Sequence, residues 1–220
     1  IRVIGPNSIG LVNVRDNIPM TGNAVFGGVE AQAGGSFLIS QSGSMIGGLV
    51  SRGEPAGTQF SAVVSSGGEI DVTTPELALA ALDDPHTEEV LLFLEHVQDP
   101  VGMAELGRRA AETGKPVVAF KLGRSAEASE LTVSHTGALA GEDALTDRLL
   151  IENGIARVTT LTGLLTAGPL LARLPLRRPG DRPLRVGVLT TTGGAAAMVV
   201  DELATRDVDI LVNNAGTIER

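Results

Sequence analysis

The feature that most constrains the fold of this chain is a regular alternation of short apolar runs with stretches of helical length. The run 90–94 is apolar at every position, which is typical of a strand buried on both faces. The predicted strands are 36–40, 60–64, 90–94, 116–120 and 156–159, and the predicted helices are 45–52, 75–82, 100–113, 142–153 and 161–174. Strands that alternate with helices favour a parallel sheet covered by helices on both faces.

Helix boundary signals agree with this alternation. Thr74 is a predicted N-cap, with Pro75 at the first helical position. Gly114 and Gly154 each follow a helical pattern and are predicted to end it. Five strand–helix units over residues 35–174 predict an α/β fold with a flavodoxin-like, doubly wound parallel sheet.

The flanking segments predict a chain of more than one domain. Residues 1–34 contain turns and apolar pieces but no complete unit, so we expect them to be the tail of a preceding domain and a connector. Residues 175–183 are rich in Pro and Arg, which is typical of a linker. Residues 184–220 resume with a strand, a glycine turn, a helix and a strand, and predict the start of a second, similar domain that is truncated.

Composition and charge exclude several function classes. The chain has no Cys, Tyr or Trp, which removes thiolate metal sites, cysteine nucleophiles and tyrosine acid–base chemistry. Its net charge of −9 disfavours binding to nucleic acid or to an anionic membrane. We find no run long enough for a membrane span and no secretory signal, so we expect a cytoplasmic protein with no metal site of its own.

Glycine is in excess, and its positions indicate where ligands bind. Of the 220 residues, 28 are Gly, against a usual share of about 7%. Open parallel sheets bind ligands at the carboxyl ends of their strands, where helix N-termini favour anions. The predicted strand ends carry Ser42-Gly43-Ser44, residues 65–68, Glu95, residues 121–123 and Thr192-Gly193-Gly194. The two glycine turns before helices suggest phosphate sites, although glycine also simply permits tight turns.

Three histidines are candidates for chemistry. His86 lies in a polar turn and is expected to be solvated, and His96 follows Glu95 at a strand end. His135 lies in residues 122–141, which have neither helical nor strand periodicity. A long loop of this kind in a compact domain is usually functional, but a loop histidine alone decides nothing.

Several motifs, in order and spacing, resemble the NDP-forming acyl-CoA synthetases, which are relatives of the succinyl-CoA synthetase α subunit. The resemblance extends from residue 1 to about residue 200. The motifs are Gly5-Pro6-Asn7-Ser8-Ile9-Gly10, Ile39-Ser40-Gln41-Ser42-Gly43, Asp71, Glu95, Lys115-Pro116-Val117-Val118 and Ser134-His135-Thr136-Gly137-Ala138-Leu139-Ala140-Gly141.

This resemblance implies a ligase that makes an acyl-CoA from a carboxylic acid, coenzyme A and ATP. It implies that His135 is phosphorylated transiently and that Glu95 holds its ring. It further implies that Ser42, Gly43 and Ser44 bind the phosphoryl group, that the turn Thr192-Gly193-Gly194 is a second phosphate-binding helix N-terminus, and that Asn7 lies near the acid. An alternative interpretation, that Asn7 is only a turn residue after Pro6, explains its presence equally well.

The resemblance also implies what this chain lacks. CoA and ATP or ADP with Mg²⁺ would be substrates of the full enzyme, and we expect none of them to be bound tightly by this chain. By this resemblance, the CoA-binding domain that precedes Gly5 in the family would be missing except for its last turn, and the ATP-grasp module would be missing entirely. No P-loop motif replaces them in this sequence. We therefore expect partners in cis or as another subunit, with a small carboxylic acid and phosphate as further ligands.

Two other interpretations are open. Residues Asn213-Asn214-Ala215-Gly216 are similar to a segment of short-chain dehydrogenases, but that family requires a catalytic Tyr and this chain has none. Alternatively, the chain is a regulatory or scaffolding relative that keeps the fold and has lost catalysis.

Overall fold

A computed structural model of the chain describes residues 1–26, 32–124, 143–174, 184–204 and 208–214. Contacts divide the chain into two compact units, Ile1–Pro175 and Leu176–Arg220. The boundaries predicted for the domains, at 34, 174 and 183, stay predictions.

The first unit contains a mixed sheet and flanking helices in the predicted alternation. Its strands are β1 (Gly10–Asn13), β2 (Ile18–Thr21), β3 (Ser36–Ser40), β4 (Phe60–Ser65), β5 (Glu89–Leu94), β6 (Val117–Lys121) and β7 (Ala156–Val158). Its helices are α1 (Gly43–Gly53), α2 (Thr74–Asp83), α3 (Pro100–Thr113), α4 (Asp143–Glu152) and α5 (Leu161–Ala172), with short 3-10 turns at Ala24–Phe26 and Glu54–Ala56.

The sheet is doubly wound, as predicted. Its strand order is β2-β1-β4-β3-β5-β6-β7, and the five strands from β4 to β7 in that order are parallel. From β3 the chain goes to β4 on one side and later to β5 on the other, so the order reverses between β3 and β5. Ligands in such folds bind in the crevice at this reversal, outside the carboxyl ends of the strands. We call that end of the sheet the carboxyl edge and the opposite end the amino edge.

Two apolar layers cover the sheet, because successive strand side chains point to opposite faces. On β5, Leu91 and Phe93 pack with α1 and α5, whereas Val90, Leu92 and Leu94 pack with α2, α3 and α4. All five side chains are at most 1% exposed. The uninterrupted apolar run that predicted a strand buried on both faces is therefore confirmed.

Most helix ends follow the sequence signals, with one exception. Gly114 and Gly154 adopt left-handed φ angles of 75° and 68° directly after their helices, as predicted. The prediction that Thr74 caps α2 is wrong, since the N-cap is Thr73, whose side chain accepts a hydrogen bond from the backbone N–H of Glu76. The Thr74 side chain turns inward instead and donates to the carboxylate of Glu69.

The N-terminal segment forms two strands that the sequence pattern did not predict. Strand β1 pairs antiparallel with β4 and with β2, so both belong to the same sheet as the parallel strands. Residues Leu11, Val12 and Asn13 face Val64, Val63 and Ala62 in register. The assignment of residues 1–34 to the tail of a preceding domain stays a prediction.

The second unit contains one strand–helix–strand element. Strand β8 (Leu184–Thr190) and strand β9 (Val208–Asn214) are parallel, and helix α6 (Gly193–Leu203) connects them. Asn213 and Asn214 end β9, while Ala215 and Gly216 lie outside the described residues. Across the described parts of both units, no helix combines the length and apolarity that crossing a bilayer requires.

Candidate functional site at the carboxyl edge

The turn Ser42-Gly43-Ser44 connects β3 to α1 at the carboxyl edge. Ser42 is the N-cap of α1, but its side chain makes no capping hydrogen bond and instead lies 3.3 Å from the hydroxyl of Ser44. The hydroxyl of Ser40 donates to the carbonyl of Ser42 at 2.7 Å and fixes the turn from below. Ser42 therefore leaves the first N–H groups of the helix without a side-chain cap, which is the arrangement that suits an anion.

Gly43 lies in a closely packed position. A Cβ atom at this position would lie 3.1 Å from the Cβ and Cγ2 atoms of Ile9 and 3.4 Å from the hydroxyl oxygen of Ser65. The segment that follows Asn7 and the end of β4 thus press directly against the start of α1. The turn is held in place from the side by these neighbours.

Gln41 joins this turn to Glu95 across the reversal point of the sheet. Its side-chain carbonyl accepts hydrogen bonds from the backbone N–H of Glu95 at 2.6 Å and of His96 at 3.0 Å. The backbone N–H of Gln41 donates to the carbonyl of Phe93 at 3.1 Å. Gln41 and Glu95 are both buried. The backbone of Glu95 and the predicted phosphate turn are therefore linked through the side chain of Gln41.

The other end of the Gln41 amide donates to Glu69 at 2.8 Å. One oxygen of this buried carboxylate also accepts from the hydroxyls of Ser66, at 2.9 Å, and of Thr74. We call Gln41, Ser66, Glu69 and Thr74 the Glu69 cluster. Gln41 lies within the motif Ile39-Ser40-Gln41-Ser42-Gly43, but sequence reasoning gave it no role of its own, and it did not single out Glu69.

The turn that contains Asn7 docks on the loop after β4. The carbonyl of Pro6 accepts from the N–H of Gly68 at 2.7 Å, and the hydroxyl of Ser8 donates to the carbonyl of Ser65 at 2.6 Å. A Cβ atom on Gly67, whose φ is +64°, would lie 2.2 Å from the Pro6 carbonyl oxygen. Asn7 itself is exposed and has a left-handed φ of 57°.

An ion-pair cluster holds the segment of the chain that precedes Asn7. The Arg2 guanidinium contacts Asp71 at 3.0 Å and Glu76 at 2.6 Å. The backbone N–H of Val3 donates to Asp71 at 2.7 Å. This N–H and the Arg2 charge lower the pKa of the Asp71 carboxyl, with burial acting in the opposite direction.

Lys121 ends β6 beside the segment that carries Glu95. Its side chain is buried, and the ammonium donates to the carbonyl of Leu122. Burial lowers the pKa of Lys121, and the negative charges of Asp143 and Glu95 oppose that shift. A cationic group thus lies within electrostatic reach of Glu95 at the same edge.

Beside these loops lies a small cleft that is partly open to solvent and has room for about one water molecule. Its lining includes Gln41, Glu69, His96 and Asp99. The Nδ1 atom of His96 is buried and has no hydrogen-bond partner among the described residues. Within the same described part of the chain, no group of three or more acidic or histidine side chains is arranged to hold a metal ion.

The second predicted turn opens α6 in the other unit. Thr192 is the N-cap, and its side chain accepts from the N–H of Ala195 at 3.4 Å. Cβ atoms added at Gly193 or Gly194 would meet nothing within 4 Å.

The structure therefore brings three of the predicted segments to one edge. The turn Ser42-Gly43-Ser44 and Glu95 share Gln41, and the Asn7 turn packs on residues 65–68 beside them. Thr192, Gly193 and Gly194 belong to the other unit. His135 lies outside the described residues.

Comparisons with known proteins show that the chain is similar to ADP-forming CoA ligases. An ADP-forming acetate–CoA ligase of Methanocaldococcus jannaschii is 30% identical over 100% of this chain and 30% of its own length. The α subunit of ADP-forming acetate–CoA ligase II of Pyrococcus furiosus is 29% identical over 100% of this chain and 46% of its own length. The chain thus spans less than half the length of these relatives, 30% of one and 46% of the other.

A solved structure of the same kind matches the fold. It is the dinucleotide forming acetyl-coenzyme A synthetase 1 of Ca. Korarchaeum cryptofilum in complex with phosphate and ADP, which superposes with a TM-score of 0.82 at 24% identity. The match covers 96% of this chain and 44% of that one. Residues 33–171 match the family described as succinyl-CoA ligase like flavodoxin domain. The chain belongs to this family, and the resemblance drawn from its motifs is confirmed.

Proposed function

We propose that this chain is part of an NDP-forming acyl-CoA synthetase, which makes an acyl-CoA from a carboxylic acid, CoA and ATP and releases ADP and phosphate. The observation that carries the proposal is the Gln41 bridge between Glu95 and the turn Ser42-Gly43-Ser44, in a chain of this family. The bridge holds the backbone of a buried glutamate beside a helix N-terminus whose cap residue leaves its first amides available.

The proposed reaction has three transfers. An imidazole nitrogen of His135 attacks the γ-phosphorus of ATP, and the bond to ADP breaks. The phosphoryl group then passes from His135 to a carboxylate oxygen of the acid, which gives an acyl phosphate. Finally the CoA thiolate attacks the acyl carbon and expels inorganic phosphate. Each step transfers one phosphoryl or acyl group and releases one leaving group, so no further reactant is required.

The described residues would serve the middle of this sequence. The amides that open α1 would bind the phosphoryl oxygens, helped by the helix dipole. Glu95 would accept the ring N–H of His135 and stabilise positive charge on the imidazole, as the acid of a catalytic triad does. Asn7 would contact the acid, because its turn packs against residues 65–68 and leaves the side chain exposed.

The remaining parts of the proposal lie in the second unit and beyond this chain. Thr192, Gly193 and Gly194 would form a second phosphate-binding helix N-terminus. CoA-binding and ATP-grasp domains, in cis or as another subunit, would supply CoA and Mg²⁺-nucleotide in the cytoplasm. The curated relatives named for acetate and for 4-hydroxybutyrate support a small carboxylic acid as substrate.

The test uses the full-length protein with its nucleotide-binding module and ATP labelled at the γ-phosphate. We expect a protein-bound label that is labile to acid, stable to base, and lost in His135→Asn. Carboxylic acid plus CoA should discharge it. His86→Asn is the matched control, since His86 lies in an exposed turn, and it should keep the label.

The opposite result has a definite meaning. Absence of label with every nucleoside triphosphate would contradict the ligase proposal and favour a scaffolding relative. A nicotinamide-linked absorbance change would instead revive the dehydrogenase interpretation.

A further inference from the structure

We infer that Glu69 is a positioning residue, which orients Glu95 toward the turn Ser42-Gly43-Ser44 by fixing the side-chain amide of Gln41. The inference rests on the proposed function of Glu95 and that turn. It concerns a residue that lies outside every motif identified in the sequence.

The first observation is the number of donors that converge on Glu69. Its Oε1 atom accepts from the Gln41 amide, the Ser66 hydroxyl and the Thr74 hydroxyl. The residue is 3% exposed. Burying a carboxylate is costly unless it is paired or well hydrogen-bonded, and three donors on one oxygen provide that compensation.

The second observation is what the Gln41 amide does with its other end. Because its nitrogen is bound by Glu69, its oxygen must face the opposite way, toward the N–H groups of Glu95 and His96. An amide rotated by a half turn would place its NH₂ group against those two donors. Glu69 therefore selects the one amide orientation that holds the backbone of Glu95.

The third observation is the backbone of Glu69 itself. Its φ is +53°, a left-handed value that a non-glycine residue rarely adopts. Its neighbours Gly68 and Ile70 donate their N–H groups to the carbonyls of Pro6 and Gly5. Glu69 thus occupies an unfavourable conformation at the centre of the docked loop, where its side chain reaches Gln41.

These contacts predict a loss of rate when the carboxylate is removed. Without Glu69, the Gln41 amide is free to rotate, and the backbone that carries Glu95 loses two hydrogen bonds. Small displacements of a reacting group cost up to about 10²-fold in rate. We expect Glu69→Ala in the full-length protein to slow phosphorylation by about 10- to 100-fold, with the apparent KM for ATP unchanged.

Two further variants separate positioning from general damage. Glu69→Gln keeps an acceptor oxygen of similar reach, so its rate should stay within about threefold of the parent. Glu89→Ala is the matched control, because Glu89 is equally buried, at 2% exposed, but begins β5 at the amino edge. It should lower stability and leave the phosphorylation rate of the folded protein unchanged.

The decisive measurement is a double-mutant cycle with Glu95→Gln. If Glu69 acts through Glu95, Glu69→Ala should slow the Glu95→Gln protein by less than about threefold further. A merely structural role would lower both backgrounds equally. Should Glu69→Ala fail to fold, Gln41→Met replaces it in the same cycle, since it keeps the volume and removes the amide.

Three outcomes overturn the inference. They are a parent-like rate in both Glu69→Ala and Gln41→Met, a Glu69→Gln variant as slow as Glu69→Ala, and full additivity with Glu95→Gln. In each case the parent protein still labels, so the proposed function stands. If the parent carries no label, the proposed function fails and this inference fails with it.

Discussion

Each edge of the sheet buries a glutamate, but the two carboxyl groups differ in how fully they are hydrogen-bonded. At the carboxyl edge, Glu69 accepts three hydrogen bonds, from the side chains of Gln41, Ser66 and Thr74. At the amino edge, Glu89 receives one, from the hydroxyl of Ser36, and its Oε2 atom has no partner among the described residues. Burial raises the pKa of Glu89, with Glu88 adding to the shift and Ser36 and Arg173 opposing it.

This difference indicates where the fold has been organised for chemistry. A satisfied network fixes side chains in one arrangement, whereas a half-satisfied buried carboxyl only lowers stability. The carboxyl edge also gathers the left-handed residues Asn7, Gly67 and Glu69. We therefore expect substitutions at the carboxyl edge to change the reaction, and those at the amino edge to change stability alone.

The largest expected effect is that of Glu95→Gln in the full-length protein. Removing the charge that would stabilise the imidazole should slow phosphorylation of the protein by about 10² to 10⁴-fold. Single-turnover labelling with γ-labelled ATP measures the rate, and circular dichroism checks the fold. Glu89→Gln is the control at the amino edge. A Glu95→Gln rate within about twofold of the parent would remove Glu95 from the mechanism.

A pair of glycines gives the next effect. Gly67 and Gly57 both have left-handed φ angles, of 64° and 86°, but a Cβ atom on Gly67 would clash with Pro6 whereas one on Gly57 meets nothing. Gly57→Ala should cost about 1 to 2 kcal/mol of folding free energy. Gly67→Ala should cost about 3 kcal/mol or more, because it also displaces the Asn7 turn.

Hydrogen exchange distinguishes the two variants locally. Gly67→Ala should accelerate exchange of the Gly68 and Ile70 N–H groups, which bind the carbonyls of Pro6 and Gly5. Gly57→Ala should leave both protected. Equal protection in the two variants would show that the Asn7 turn does not depend on this contact.

The smallest effect is a pH-dependent gain in stability from Glu89→Gln. Because the folded pKa of Glu89 is raised, its contribution to stability is fully present below the unfolded value of about 4.5 and is lost as pH rises through the folded value. The amide cannot ionise, so the variant should be more stable than the parent at pH 8. The stability difference between the variant and the parent should disappear near pH 4.

Thermal unfolding followed by circular dichroism across that pH range is the measurement. A constant difference between variant and parent would contradict ionisation of Glu89 as the cause. A larger stability difference at pH 4 than at pH 8 would mean that folding lowers the pKa of Glu89 instead of raising it.

Much of the fold could be predicted because its signals are local or periodic. The apolar run of β5 indicated a strand with two buried faces, and Gly114 and Gly154 marked helix ends by their left-handed conformations. Thr73 and Thr74 could not be told apart as caps, since either has the right side chain. The choice is made by Glu69, which binds the Thr74 hydroxyl from a preceding loop.

The site was predicted less completely, for a related reason. Glycine turns and Glu95 are recognisable at strand ends, and the structure does bring them together. The roles of Gln41 and Glu69 depend on the hydrogen bond between them. These two residues are 28 positions apart in the sequence, and no periodicity reveals such a contact. Strand β1 is four residues long, and three of them are intermediate in exposure, so its sequence carries little strand signal.

The pairing of β1 with β4 also bears on how the protein can be cut for further work. A fragment limited to residues 33–171, the span of the family match, would lose β1. The backbone hydrogen-bonding groups of β4 that pair with β1 would then be exposed. Exposed strand edges of this kind promote self-association. The same truncation would strip the loop around Gly68 of its carbonyl acceptors. Expression plasmids for the isolated sheet should therefore start upstream of Val3.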